Sequence, residues 1–548
     1  MTSRDLLSPL LCLPLFIAAP SAAWAAENSA PLFDNLGSYH HAISTGSPQV
    51  QRYFDQGMVL SFAFNHAEAI RSFREAIRLD PDCAMCHWGV AYALGPNINS
   101  DMDRKGAREA YKAIRLALKK ADRATEAEQA YVRALAVRYA AKPPSDRKAL
   151  DLAYADAMRD LAHRFPDDVD AATLFAESLM DTTPWHYWTE DGQPGPVTEE
   201  LVATLESVLA RAPEHPFALH LYIHAMEASP TPERAEAAAD RLGPLVPGAG
   251  HLVHMPAHIY LRIGRYSDAE VANAKAAAAD EAYFAHSDHS HAEGLYAAGY
   301  YLHNIHFLWQ AALFEGRSHV ALEAARKLAR EVTPGRLKAH PEAEHFLPIP
   351  LFTLARFGRW DEILAEPKPP AAHRYHRAMW HYARGLALAA GGRLKEAGRE
   401  ARQLDRLAAG LKRKAGAETP SVPAADLVAL AGHLLAAEIA DRGGRSDEML
   451  RHYRDAVQIQ DRLPYMEPPY WYYPVRQDLG MALLRLGRPG EAEEAFRESL
   501  RRHPRNGWSL YGLAQSQKQQ GKAEAVETQR RFEEAWARAD VPLADLHF

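Results

Sequence analysis

Cysteine is almost missing from this sequence. Cys12, Cys83 and Cys86 are the three in 548 residues, too few for a disulfide framework to hold a chain of this length together. Long apolar runs are missing too. The longest, Leu6 to Ala19, falls short of the roughly 18 residues that span a bilayer, so membrane insertion is not expected. No segment shows the apolar/polar alternation that marks strands, which leaves an all-α fold. Basic runs are lacking as well: 63 Lys and Arg are interspersed with 70 Asp and Glu for a net charge of -7. Nothing there would track a phosphate backbone, and nucleic acid is not an expected partner.

What remains is the composition of an ordinary globular chain, 47% hydrophobic and 24% charged, with 27 histidines, a high count. The length exceeds what one compact core serves, so several domains or a repeat array is expected. Residues 1–25 read as a secretory signal: Arg4, the apolar run, then small residues at Ala23 and Ala25, with cleavage after Ala25. Cys12 lacks the small residue that a lipoprotein cleavage site needs before it. The mature chain is expected to be exported, periplasmic where the source has two membranes.

The densest chemistry lies between Pro216 and His306. His251, His254 and His258 are spaced i, i+3, i+7, which at about 100° per residue puts three imidazoles on one stripe of a helix. His220, His224 and Glu227 repeat the arrangement at i, i+4, i+7, and His303 and His306 follow.

Leu479-Gly480, Leu483, Gly487, Ala492, Phe496 and Pro504 form the clearest repeating unit, and Gly57, Ala69, Phe73 and Pro81 echo it. The small residues allow helices to approach, the phenylalanines fill the space between repeats, and the prolines stop the second helix. The unit resembles the tetratricopeptide repeat, two antiparallel helices in about 34 residues. The resemblance implies a right-handed α-solenoid of roughly eleven or twelve pairs with a concave groove for a peptide, protein or small-molecule ligand. Turn signals at Gly264, Gly316, Gly358, Gly392, Gly444, Gly487 and Gly521 support that count. The chain then divides into a lead-in at 26–48, with His40 and His41 capping the solenoid end, N-terminal repeats at 49–215, central His-rich repeats at 216–365, and C-terminal repeats at 366–548. Insertions break the period at Pro184 to Pro196, Glu281 to Gly294 and Lys412 to Pro423. The central stretch also looks like a subgroup of exported bacterial proteins of this repeat family.

In the repeat family, groove-facing residues lie thirteen, ten and six positions before the turn glycine. Counting back from Gly264 reaches His251, His254 and His258; from Gly316, His303 and His306; from Gly358, His345. Pro230 in the glycine's place yields His220 and His224, with Glu227 a turn further, and one repeat earlier the count reaches Glu177 and then Asp181. His220, His224, His251, His254, His258, His303 and His306 are therefore candidate ligands for one or two transition-metal ions, whether copper, zinc, iron or manganese. Glu227, Glu177 or Asp181 would be a ligand, an orienting partner or a general base. The plain alternative is that the histidines line a peptide groove. His286, His289 and His291 could form a lid, or a solvated loop.

Cys83-Ala-Met-Cys86-His87 matches the attachment signature of c-type haem; a CxxC disulfide and two passive thiols are the competing readings. Trp185 in Pro184 to Trp188, and Tyr472 in Pro468 to Pro474, either wall an apolar pocket beside the groove or brace irregular packing. The functional readings are a metal-carrying binding scaffold, a metal-dependent oxidoreductase or hydrolase, a metal-free scaffold, and a haem carrier.

Overall fold

The computed structural model describes residues 30–286, 294–412 and 422–543. The signal-like stretch, His289 and His291 lie outside them. Among the described residues the fold is all-α, its extended pairing limited to the bridges Asn97 to Ser100 and Trp188 to Pro194.

The helices pair in order: α1 (Pro48–Phe62) with α2 (His66–Leu79), α3 (Ala84–Ala93) with α4 (Arg104–Lys120), α5 (Glu126–Ala136) with α6 (Lys148–Arg164), and α7 (Val169–Thr182) with α8 (Thr198–Arg211). Next come α9 (Pro216–Glu227) with α10 (Glu236–Leu245), then α11 (Gly250–His254) and α12 (Pro256–Ile263) together against α13 (Tyr266–His286), and α14 (Leu302–Phe314) with α15 (Ser318–Glu331). After the short α16 (Pro334–Ala339), α17 (Ile349–Arg356) pairs with α18 (Trp360–Ala365), α19 (Arg374–Ala390) with α20 (Leu394–Lys412), and α21 (Ala424–Arg442) with α22 (Ser446–Asp461). Last are α23 (Arg476–Arg485) with α24 (Pro489–Arg502), and α25 (Gly507–Gln519) with α26 (Ala525–Ala535). The result is a solenoid of twelve such pairs among the described residues.

The packing logic is that of a large ring seated between glycines. Phe73 is fully buried, and a Cβ added at Gly57 or Gly89 would come within 2.5 Å of its ring. Gly480 and Gly512 flank Phe496 in the same way. The turn glycines at 264, 316, 358, 392, 444, 487 and 521 all have positive φ, a backbone state other residues adopt only with strain.

An ordinary solenoid touches only its neighbours; this one returns on itself. Tyr266 donates to the carbonyl of Pro504 (2.8 Å) and Trp508 to that of Leu313 (3.1 Å), while Asp540 accepts from the amides of Ser318 and His319. At the other end the lead-in is a strap along one edge of the repeats. Gly248 donates to the Asn35 carbonyl (2.8 Å), and Asp170 accepts from Tyr39 (2.7 Å), from His41 Nδ1 (2.7 Å) and from His215 Nε2 (2.9 Å). His40 pairs with Asp55. These histidines therefore tie the strap along the edge rather than close the solenoid's end. The apolar core falls into two main clusters, and α14 serves both, with Phe307, Ala311 and Phe314 in one and Leu302, Ile305, Trp309 and Leu313 in the other. The seam thus lies inside the expected central block.

Phe496→Ala should lower stability by about 3–5 kcal/mol, because neither flanking glycine has a side chain to fill the void. The midpoint of urea unfolding reads this, and a cost below about 1 kcal/mol would contradict the packing argument.

Candidate metal centre

Three consecutive repeats bring the histidines together. Helix α9 opens with Pro216 at its first position, where a missing N–H costs nothing, and His215 Nδ1 accepts from Ala218 to cap it. The break between α11 and α12 falls at Met255-Pro256, since the proline ring cannot continue the hydrogen-bond ladder. The stripe survives the break: His251, His254 and His258 are all buried on one side. A π-helical turn, Ala297–Tyr301, precedes α14 and delivers His303 to the same place.

Six imidazoles converge as two triads. His220, His224 and His251 form one, and His254, His258 and His303 the other; within each, one nitrogen per ring lies within 4.8 Å of the other two. His220 Nε2 is 3.2 Å from His251 Nε2, His254 Nε2 is 3.0 Å from His258 Nε2, and His303 Nε2 is 3.5 Å from His258 Nε2. The triads adjoin, the rings of His224 and His258 being 5.5 Å apart.

The opposite edges of four of the six rings are committed, while His251 Nδ1 is buried without a hydrogen-bond partner. His220 Nδ1 donates to the Phe62 carbonyl (2.8 Å) and His254 Nδ1 to Asn273 Oδ1 (2.6 Å), while the Asn273 amide itself donates to Ala269. His224 and His258 each donate from Nδ1 to a different oxygen of Glu227, at 2.6 and 2.7 Å. A neutral imidazole that donates from Nδ1 presents a lone pair at Nε2. Two such lone pairs meet at 3.0 Å between His254 and His258, a repulsive arrangement unless a cation lies between them. Burial, then the neighbouring His258, hold the His254 imidazole well below its ordinary range, which disfavours a proton in that role. Four ligands at 2.0–2.1 Å in a tetrahedron are roughly 3.3 Å apart, close to the observed spacings. His224 Nε2 is buried with no hydrogen-bond partner. The donor set thus fits a pair of imidazole-bound transition-metal ions.

Glu227 links the triads. Burial alone would raise its carboxyl, but the His258 and His224 imidazoles outweigh that and hold it well below the usual carboxylate range. Both its oxygens are engaged by imidazoles, and Tyr465, 238 residues onward, also donates to it (3.3 Å). Of its expected roles it fills the orienting one. Phe64 closes the first triad from the turn after α1, its ring 4.8 Å from His220 and 5.3 Å from His251. It occupies the turn position that glycine holds elsewhere, at φ 55°, a strain of about 1–3 kcal/mol for a bulky residue.

Other expected residues lie elsewhere. His306 is not in the hexad: one turn along α14, its ring stacks on Trp309 and faces His345 across 6.2 Å. Glu177 accepts from Tyr92 (2.8 Å), and Asp181 from the buried Arg138 (2.6 Å). Both sit on α7 and bond Tyr92 and Arg138 rather than an imidazole, so Glu177 does not orient the histidine rings. Trp185 stands edge-on to His224 at 5.2 Å, and Tyr472 stacks on Phe352. His286 ends α13 exposed, bonded to the Ala282 carbonyl. Cys83 and Cys86 are joined as a disulfide and are buried, and His87 Nε2 faces the Pro81 carbonyl (3.2 Å). With both sulfurs bonded and Gly89 against Phe73, these residues do not fit a covalent haem.

Residues 50–83 and 474–516 match family models described as tetratricopeptide repeat. The chain carries tetratricopeptide repeats. Its fold is that of a helical-repeat binding scaffold, with the two histidine triads where three consecutive repeats meet. Similar solved structures include a human IFIT1 dimer with m7Gppp-AAAA, at 12% identity and TM-score 0.32 over 90% of this chain and 92% of that one. Another is the P58(IPK) TPR domain, at 13% identity and TM-score 0.22 over 86% and 98%. Comparison with curated proteins finds no match. No described helix of this repeat protein is long and apolar enough to cross a membrane.

Burial and the adjacent Asp181 raise the Glu177 carboxyl well above its ordinary 4.5. The unfolded chain then sheds that proton near pH 4.5 while the folded chain keeps it, so Glu177 costs no stability below that pH and progressively more above it. Glu177→Gln should therefore gain in melting temperature relative to the parent between pH 5 and 9; a constant difference would contradict the assignment.

Proposed function

We propose that this is an exported repeat protein whose groove holds two transition-metal ions, His220, His224 and His251 binding one and His254, His258 and His303 the other, and that it acts on a ligand bound beside them. The observation that carries this reading is the 3.0 Å approach of the His254 and His258 Nε2 lone pairs, on two rings whose Nδ1 edges are already committed. Three imidazoles per ion leave open coordination positions, the pattern of catalytic rather than structural sites. Imidazole-only sets without thiolate favour copper or zinc over hard ions such as magnesium. When bound, such ions supply Lewis acidity, an activated water or, for copper, electron transfer.

The chain's own residues do the rest. Glu227 holds two ligating rings, one in each triad, in register, Asn273 and the Phe62 carbonyl fix two more, and the burial of five of the six rings keeps water away from the ligand edges. The buried Cys83 to Cys86 disulfide is consistent with the oxidising compartment that the N-terminal stretch suggests.

The test is elemental analysis of tag-free protein after reconstitution. About two equivalents of copper or zinc per chain are expected, falling to roughly one in His251→Ala and unchanged in His306→Ala. Glu227→Gln should weaken metal affinity by about 10–100-fold while leaving the stoichiometry intact. A chain that takes up no metal, or keeps both equivalents when His251 and His254 are replaced, would refute the reading.

A further inference from the structure

The hexad does not end the groove. His303 belongs to two environments: its Nε2 faces His258, and its ring lines a cavity of about 270 Å³ that neither His254 nor His258 borders. The cavity walls come from six separate stretches: the π-helical turn with α14, the turn Pro341–Phe346, helix α17, Tyr375 on α19, the start of α21 with Val422 before it, and the loop that follows α22. That loop also sends Tyr465 to Glu227, so cavity and hexad share a support.

Three features define the occupant. Flat surfaces dominate the walls: Phe352 and Tyr472 stack at 4.7 Å with 4° between their planes, and His306 stacks on Trp309 at 5.3 Å and 12°. Charge is one-sided, because among the described residues no lysine or arginine lines the cavity while Glu342 and Glu467 do; a carboxylate or phosphate ligand would face two carboxyl groups there. The third feature is an open rim at the π turn. Gly299 lines the cavity at an exposed position, and a Cβ placed on it meets nothing within 4 Å, in contrast to the glycines packed against Phe73 or Phe496. π-helical turns of this kind recur at functional sites. The volume suits a molecule of one or two rings, below the usual range for larger ligands.

We propose that this cavity binds an uncharged planar aromatic molecule, its ring against the aromatic walls and its polar edge at His303, beside the second histidine triad. The proposal rests on the metal-centre reading only for what happens at that polar edge; occupancy of the cavity does not require the metal.

Phenol is the probe, with cyclohexanol and benzoate as non-aromatic and anionic counterparts, each titrated into metal-free and metal-loaded mature protein and followed by saturation-transfer NMR. Phenol is expected to bind both forms, and cyclohexanol and benzoate to bind the metal-free form at least tenfold more weakly. Gly299→Phe should abolish phenol binding while leaving metal content and melting temperature unchanged, since the new ring enters open space in a helical segment. Should that variant melt early, Tyr470→Ala at a half-buried wall position replaces it, with a several-fold loss of phenol affinity expected. Equal binding of the three probes, no binding of phenol to the metal-free form, or unaltered affinity in a folded Gly299→Phe would overturn the proposal. Phenol binding blocked by Gly299→Phe in a chain that takes up no metal would sink the metal reading and leave the aromatic site standing; metal uptake without phenol binding would do the reverse.

Discussion

One buried carboxylate holds the centre together. Glu227 spends an oxygen on His224, one turn back in its own helix, and the other on His258 of the next repeat. A fully buried anion is costly unless it is paired and hydrogen-bonded, and here two imidazole N–H groups supply both. The same two bonds fix the tautomer of each ring, and so aim one Nε2 into each triad. Helix-to-helix distance, proline-induced bend and π-helical turn all serve that alignment: each repeat contributes a stripe, and the carboxylate sets how two of the stripes face.

Much of the site could be read from spacing. Histidines at i, i+3, i+4 and i+7 share a helix face whatever the tertiary structure, and counting back from turn glycines assigns that face to the groove. The same count placed Glu177 and His306 in the groove as well. Register specifies the direction of a side chain and not its distance from the site; Glu177, one repeat earlier, bonds Tyr92 instead, and His306 is one turn too far along α14. The partners that orient the rings were not legible. The Phe62 carbonyl lies 158 residues from His220, and a main-chain acceptor has no sequence signature. Asn273 sits on the second helix of its pair, outside any groove count, and Tyr465 arrives from a loop 238 residues beyond Glu227.

Phe64 shows how a departure from the repeat pattern marks function. At that turn position seven other pairs use glycine with positive φ, and the first pair keeps the backbone state but carries a bulky ring. The strain is offset by the contacts the ring makes with His220 and His251. A left-handed phenylalanine has little reason to persist in a structural turn, and its neighbours are the observation that explains it. The cysteine pair is the opposite case: a motif strongly associated with one chemistry is here fully used by a short covalent link inside a packed helix start.

Repeat proteins commonly change length by gaining or losing whole units, since each unit answers only to its neighbours. This chain has given up that freedom. The strap ties the edge of α1 to repeats four to six, Phe62 and Phe64 complete a site built four repeats away, and the loop after α22 reaches back to Glu227. Inserting or deleting a single pair anywhere between would rotate and shift these contacts out of reach together. Its number of repeats is therefore as constrained as the sequence of an active site, and relatives that keep the six histidines should keep the count of helices between them.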